Sequence, residues 1–204
     1  MQMVLFRPVE DTDDGAYFKS NSLSGGERNR LFLRTHGNYK DLSLVSGADF
    51  RQDGRGFVLL DYDNDGWIDL GITSPNEPRF RLLRNQYADL PGEVPGRTNG
   101  FVSLQLVGGQ TSAEPSTEWS PRNPIGATVT VTIGETQRQY LLSGGEGLSS
   151  QNTDRIHIGL GAAKSIDRIE AKWPSGKTTI RKNVAAGSRI IFFENPEQVI
   201  KTVQ

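Results

Sequence analysis

Cysteine is absent from the 204-residue chain. A disulfide framework and every thiolate metal site are thereby excluded, while an oxidising compartment is not. Histidine is nearly absent too: His36 and His157 stand far apart and give no zinc spacing. Neither sign of charge is in excess. The net charge is -1 and the pI about 6.2, so no sequence-wide field favours nucleic acid or anionic lipid. The basic residues of "IRKN" and "DRIEAK" are scattered among acids, the pattern of a solvated face rather than a nucleic-acid stripe. No apolar run approaches the ~20 residues of a spanning helix, so membrane insertion is not expected. The opening MQMVLFRPVEDTDD lacks the basic and apolar regions of a secretory signal. Three readings of localisation follow: a cytosolic chain, a processed one, or a piece of something longer.

Helical periodicity is also scarce. What is there instead is glycine (23), proline (10) and short β-branched runs broken by Gly, Asn, Asp and Pro. That composition predicts an all-β chain. Residues 1–27 are polar and Gly/Ser-rich and read as an N-terminal segment without strands. Residues 28–97 hold NRLFLRT, a turn at His36-Gly37-Asn38, YKDLSLV, FVLL, WIDLGI and RFRLLRN. They predict a roughly four-stranded antiparallel meander, the size of one propeller blade. A Pro/Gly-rich linker, NQYADLPGEVPGRTNG, ends that region. Residues 98–195 give strands at about 101–107, 126–133, 136–142, 155–160, 166–173, 177–182 and 188–193, the density of a β-sandwich. Ile156, Ile158 and Leu160 fall on one face of their strand and Arg155, His157 and Gly159 on the other. Residues 196–204 read as a tail that adds a short helix or frays.

Between FVLL and WIDLGI lies Asp61-x-Asp63-x-Asp65-Gly66-x-x-Asp69. Calcium takes six to eight oxygens, and alternate carboxylates on a tight loop converge on one point. Gly66 permits the backbone angle that turns the chain around the ion. The first six positions fit an EF-hand loop, but position twelve is Ile72 where a bidentate Glu belongs, and the flanks are strand-like. The pattern therefore predicts a Ca²⁺ loop between two strands. Side-chain oxygens come from Asp61, Asp63, Asp65 and Asp69, a carbonyl from Trp67, and water completes the shell, with Asn64 facing away or bracing the turn. A solvated hairpin turn is the plainer alternative. Four carboxylates so close repel one another, which favours the cation. Nothing catalytic flanks the loop, so the ion is expected to be structural.

These residues resemble a known repeat. DYDNDGWIDL is similar to the calcium-bearing repeat of FG-GAP/VCBS-type propellers, as in integrin α-subunit heads, and the stretch from NRLFLR to WIDLGI resembles one whole repeat. RFRLLRN echoes NRLFLR about fifty residues on. The later region resembles the ASPIC and UnbV domain, which follows such repeats in cartilage-acidic-protein-like and enediyne-cluster proteins. Asn123-Pro124-Ile125-Gly126-Ala127, SGGEGLSSQN, RIHIGLG and IDRIEAKWPSGK carry that likeness. Together the resemblances imply a calcium-stabilised β-propeller followed by a sandwich, extracytoplasmic proteins, and adhesion or recognition without an established reaction. A closed propeller needs at least four blades and this chain has about one. Such a blade must pack on the sandwich, on another copy as a homo-oligomer, or on further sequence. EDTDDG at 10–15 is a candidate degraded calcium loop without flanking strands.

Other residues admit two readings. The loop 143–154 offers Glu146, Ser149, Ser150, Gln151 and Asn152 either as ligand contacts or as a turn that fixes sandwich geometry, and the turn is favoured. Trp67 is expected to project outward beside the ion, to stack on a sugar or to pack against the neighbouring domain. Trp173 is expected to end a strand and cover the sandwich edge, and Trp119 to sit in a mobile loop. His157 reads as a partly buried hydrogen-bonding residue and His36 as solvated. The favoured function is a non-enzymatic calcium-binding module for protein recognition, adhesion or scaffolding. The alternatives are a calcium-dependent carbohydrate-binding module and an accessory protein or enzyme of a biosynthetic pathway. No nucleophile–base constellation such as G-x-S-x-G supports an enzyme.

Overall fold

The computed structural model describes residues 6–8, 27–51, 53–75, 78–147 and 150–198. The expected features at EDTDDG, Ser149 and residues 199–204 lie outside them. The fold is nearly all β, with several antiparallel sheets. The chain divides into two units: Met1–Thr98 with Gly145–Thr153, and Asn99–Gly144 with Asp154–Gln204. Neither is continuous in sequence.

The first unit holds β1 (Phe6–Pro8), β2 (Phe32–Thr35), β3 (Asn38–Asp41), α1 (Ser43–Ser46), β4 (Gly56–Leu60), β5 (Asp69–Thr73) and β6 (Phe80–Asn85), then a 3-10 turn at Tyr87–Asp89. One sheet has the order β1-β6-β5-β4, antiparallel throughout. The expected meander is β4-β5-β6. Its fourth strand is not NRLFLRT but β1, from the segment read as strandless. β2 and β3 instead form a separate hairpin. Its two turn residues, His36 (φ 49°) and Gly37 (φ 83°), both take the left-handed conformation that suits the twist of the paired strands. YKDLSLV is strand only as far as Asp41. The Asp41 carboxylate accepts the Ser43 N–H at 2.9 Å and the Ser43 hydroxyl as well. That local capture turns the backbone out of the strand and into one helical turn.

Register explains the small core of this unit. Phe57 pairs with Ile72, and Leu59 with Leu70, which pairs in turn with Leu83. Leu70 and Leu83 bury against Ala48, with Leu31, Phe50 and Ile72 around them. The Arg81 guanidinium lies 4.6 Å from the Phe50 ring centre, a cation–π contact.

The second unit has β7 (Gly100–Val107), β8 (Thr128–Ile133), β9 (Thr136–Leu141), β10 (Ile156–Gly161), β11 (Ser165–Lys172), β12 (Thr178–Ala185) and β13 (Arg189–Phe193). They form two sheets, β10-β7-β13 and β12-β11-β8-β9. All pairs are antiparallel except β7 with β13. Alternate residues of both sheets, among them Val102, Leu104, Val129, Val131, Ile158 and Ile169, are fully buried in one shared core. Each such side chain contributes about 1.5–3 kcal/mol by leaving water. Trp173 follows β11 and is part of that core, its ring N–H donating to Thr179 Oγ1 at 2.8 Å. Trp119 is held rather than free: it lies against Gly109, where an added Cβ would meet the ring at 2.3 Å, and Lys177 Nζ sits 4.0 Å from the ring centre. Among the described residues no helix is long and apolar enough to cross a membrane.

Candidate metal centre

The loop 61–68 joins β4 to β5. Two residues with left-handed backbone, Asn64 (φ 60°) and Gly66 (φ 90°), reverse the chain within it. Asn tolerates that conformation better than most side chains, and glycine pays nothing for it. The carboxylates of the loop turn inward and bind loop amides. Asp61 Oδ2 accepts the Gly66 N–H at 3.1 Å, Asp63 Oδ1 the Asp65 N–H at 3.3 Å, and Asp65 Oδ1 the Trp67 N–H at 2.8 Å. The result is convergence: carboxylate oxygens of Asp61, Asp63 and Asp65 lie within 4.8 Å of one another. The remaining oxygen of Asp61, Oδ1, is buried and accepts no hydrogen bond. Burial, with Asp63 and Asp61 nearby, pushes the Asp65 carboxyl up, against the opposing pull of the Trp67 N–H and Arg84.

Asp69 is placed differently. It is fully buried at the start of β5, outside the convergent trio. Its Oδ2 accepts the Tyr62 N–H at 3.0 Å and its Oδ1 the Asn85 N–H at 2.7 Å. It therefore pins the loop to β6. Burial raises its carboxyl to about 6, the two amides pulling down and Asp63 and Asp65 pushing up.

Sequence reasoning missed Arg84. From β6 its guanidinium reaches Asp63 Oδ2 through Nε at 2.6 Å, Asp65 Oδ2 through Nη2 at 3.0 Å, and Asp89 through Nη1. The β5–β6 register pairs Leu70 with Leu83, and one step further sets Arg84 across from Asp69. What the register does not give is that the loop folds back over β6.

Trp67 is a correction. Its side chain is 7% exposed and its ring meets Tyr87, with centroids 4.9 Å apart and planes tilted by 46°. Tyr87 is itself buried and donates its hydroxyl to the Pro95 carbonyl at 2.7 Å. The aromatic face expected to meet a sugar is covered from within the same unit. The physical reason is hydrophobic: a Trp backbone fixed by Asp65 is better packed on Tyr87 than left in water.

The described residues of the 143–154 loop are not among the acidic groups that converge at this centre. Asn152 Oδ1 accepts the Leu59 N–H at 2.8 Å, the Thr153 N–H donates to the Leu59 carbonyl at 3.1 Å, and Asn152 Nδ2 donates to Glu146. A side-chain amide thus takes the place of a neighbouring strand along β4. Gln151 is exposed and Ser150 is half-buried. His36 is exposed and His157 half-buried, the exposure read for each from the sequence.

Residues 117–199 match the family model described as ASPIC and UnbV. This ASPIC and UnbV match begins beside Trp119 and includes all of β8 to β13. It leaves the aspartate loop outside. No curated protein matches the chain at a significant level.

Proposed function

We propose that this chain is a non-enzymatic calcium-binding β protein for recognition, adhesion or scaffolding, with an FG-GAP/VCBS-type repeat ahead of its ASPIC and UnbV domain. The observation that carries the reading is the convergence of Asp61, Asp63 and Asp65 together with the buried Asp61 Oδ1 that no hydrogen bond satisfies. A buried carboxylate oxygen without a partner is costly in any fold. A hard cation with oxygen ligands removes that cost.

In this reading Asp61, Asp63 and Asp65 supply carboxylate oxygens, and the Trp67 carbonyl and water fill out the shell. Asp69 holds the loop against β6 and stands next to the ion as a brace. The cation supplies charge neutralisation and a crosslink between the ends of β4 and β5. The recognition half of the reading draws support from the apolar surface of the same unit, where Phe32, Tyr39, Leu44 and Val45 are all more than half exposed. The partner is a protein or a second copy of the chain. A glycan partner is less well supported, because Trp67 is not free to stack.

Melting of the full chain in calcium and in chelator tests the reading. At free Ca²⁺ a hundredfold above its Kd, the folded state gains about 2.7 kcal/mol, so Tm rises by several degrees and chelator reverses it. Asp61→Ala with Asp65→Ala abolishes the response. An identical Tm in millimolar calcium and in chelator would overturn the assignment.

A further inference from the structure

The loop carboxylates divide their oxygens unequally. One oxygen of each is committed to a loop amide: Asp61 Oδ2, Asp63 Oδ1 and Asp65 Oδ1. The three others are Asp61 Oδ1, Asp63 Oδ2 and Asp65 Oδ2. The first has no partner, and the other two are held by a single group, the Arg84 guanidinium. Of the three oxygens left for a cation, Arg84 occupies two, Asp63 Oδ2 and Asp65 Oδ2. Its third arm, Nη1, pairs with Asp89, whose side chain is 53% exposed.

We infer that Arg84 is the centre's built-in counter-cation: it neutralises Asp63 and Asp65 until a divalent ion displaces it, and it then stays paired to Asp89. The inference rests on the cation reading and deepens it. The planar guanidinium suits this role because it holds several carboxylates at once through separate N–H groups. A guanidinium and a divalent ion cannot share the same oxygens without strong repulsion. Binding is thus an exchange, in which the ion meets one unpartnered oxygen and takes two from Arg84. Asp89 gives the departing charge somewhere to remain. Two residues outside the loop then tune the site in opposite directions: Arg84 weakens apparent affinity, and Asp89 strengthens it.

Calorimetric titration of Ca²⁺ into the chelator-stripped full chain tests this, with melting in chelator beside it. Arg84→Gln is expected to bind roughly tenfold tighter, since one positive charge no longer opposes the ion at contact range. The same variant melts lower in chelator, because Asp63 and Asp65 have lost their neutralising partner. Asp89→Asn binds more weakly in the wild-type background and has no effect in the Arg84→Gln background. That non-additivity separates a specific exchange from the general influence of a nearby negative charge. Arg84→Lys guards against a folding defect: it keeps the charge but cannot span three carboxylates, and is expected to fall between wild type and Arg84→Gln. Equal Ca²⁺ affinity in wild type, Arg84→Lys and Arg84→Gln would overturn the exchange while leaving the cation reading intact. So would an Asp89→Asn effect of the same size in both backgrounds. Absence of binding heat in both wild type and Arg84→Gln would instead overturn the cation reading, and the exchange with it.

Discussion

Asp69 and Glu194 are both buried carboxylates, yet their surroundings push them opposite ways. Burial raises both. Asp69 has two backbone amides to offset it and two acidic neighbours that add to it, so its carboxyl rests at about 6. Glu194, just after β13, has more donors and no such neighbours. It accepts the Gly109 N–H at 2.8 Å, the Ser120 N–H at 2.8 Å, the Ser120 hydroxyl at 3.0 Å and the Ser175 hydroxyl. These bonds outweigh burial and hold its carboxyl below the ordinary value. Because the folded-state value is depressed, the folded state binds this proton more weakly than the unfolded chain. The stability from Glu194 is therefore complete above the ordinary glutamate range of about 4.5 and is lost as pH falls through the folded value. Glu194→Gln is expected to cost about 1.5–3 kcal/mol at neutral pH, the range for hydrogen bonds to a charged group. Urea unfolding of both proteins should show the gap narrowing on acidification. A gap that stays constant from neutral to acid pH would remove the ionised carboxylate from the explanation. Nothing in the sequence marks Glu194, since its four donors come from positions 19 to 85 residues away.

At the scale of the element, β4 shows what an edge requires. Its inner side pairs with β5, while Leu59 on its outer side is served by Asn152 and Thr153. Unpaired edges invite association, and a short polar segment is a common remedy. Asn152→Ala should cost about 1 kcal/mol and should speed amide exchange at Leu59 selectively, while exchange at the interior amides of β5 is unchanged. The strands of the second unit were legible in sequence because their alternation is clean. Expected 155–160 and 166–173 are observed as Ile156–Gly161 and Ser165–Lys172. Period-2 burial between two sheets writes itself directly into residue order. The first unit was less legible for a specific reason. Its strands are short and its turns are set by side chains, as Asp41 sets the end of β3, and such captures depend on geometry rather than period. The aspartate spacing, with Asn64 and Gly66, announced a converging loop. The direction of Trp67 and the reach of Arg84 depend on where Tyr87 and Asp89 come to lie, which spacing alone does not encode.

At the scale of the whole molecule, chain order and spatial grouping disagree. Residues 145–153 lie between β9 and β10 in sequence but belong to the first unit. A cut at the linker near residue 97 therefore removes part of that unit. A fragment ending at Thr98 keeps the aspartate loop, Arg84 and Asp89 but loses the cover of β4. It is expected to self-associate in light scattering more strongly than the full chain, and calcium is not expected to suppress this. A strictly monomeric 1–98 fragment would show that the borrowed segment is dispensable. The same arrangement imposes an order on synthesis. Leu59 waits for Asn152, 93 positions later, and at ribosomal rates of about 5–20 residues per second that is a delay of roughly 5 to 20 seconds. Throughout that interval the nascent chain carries a raw strand edge at β4, which chaperones that shield such edges could cover.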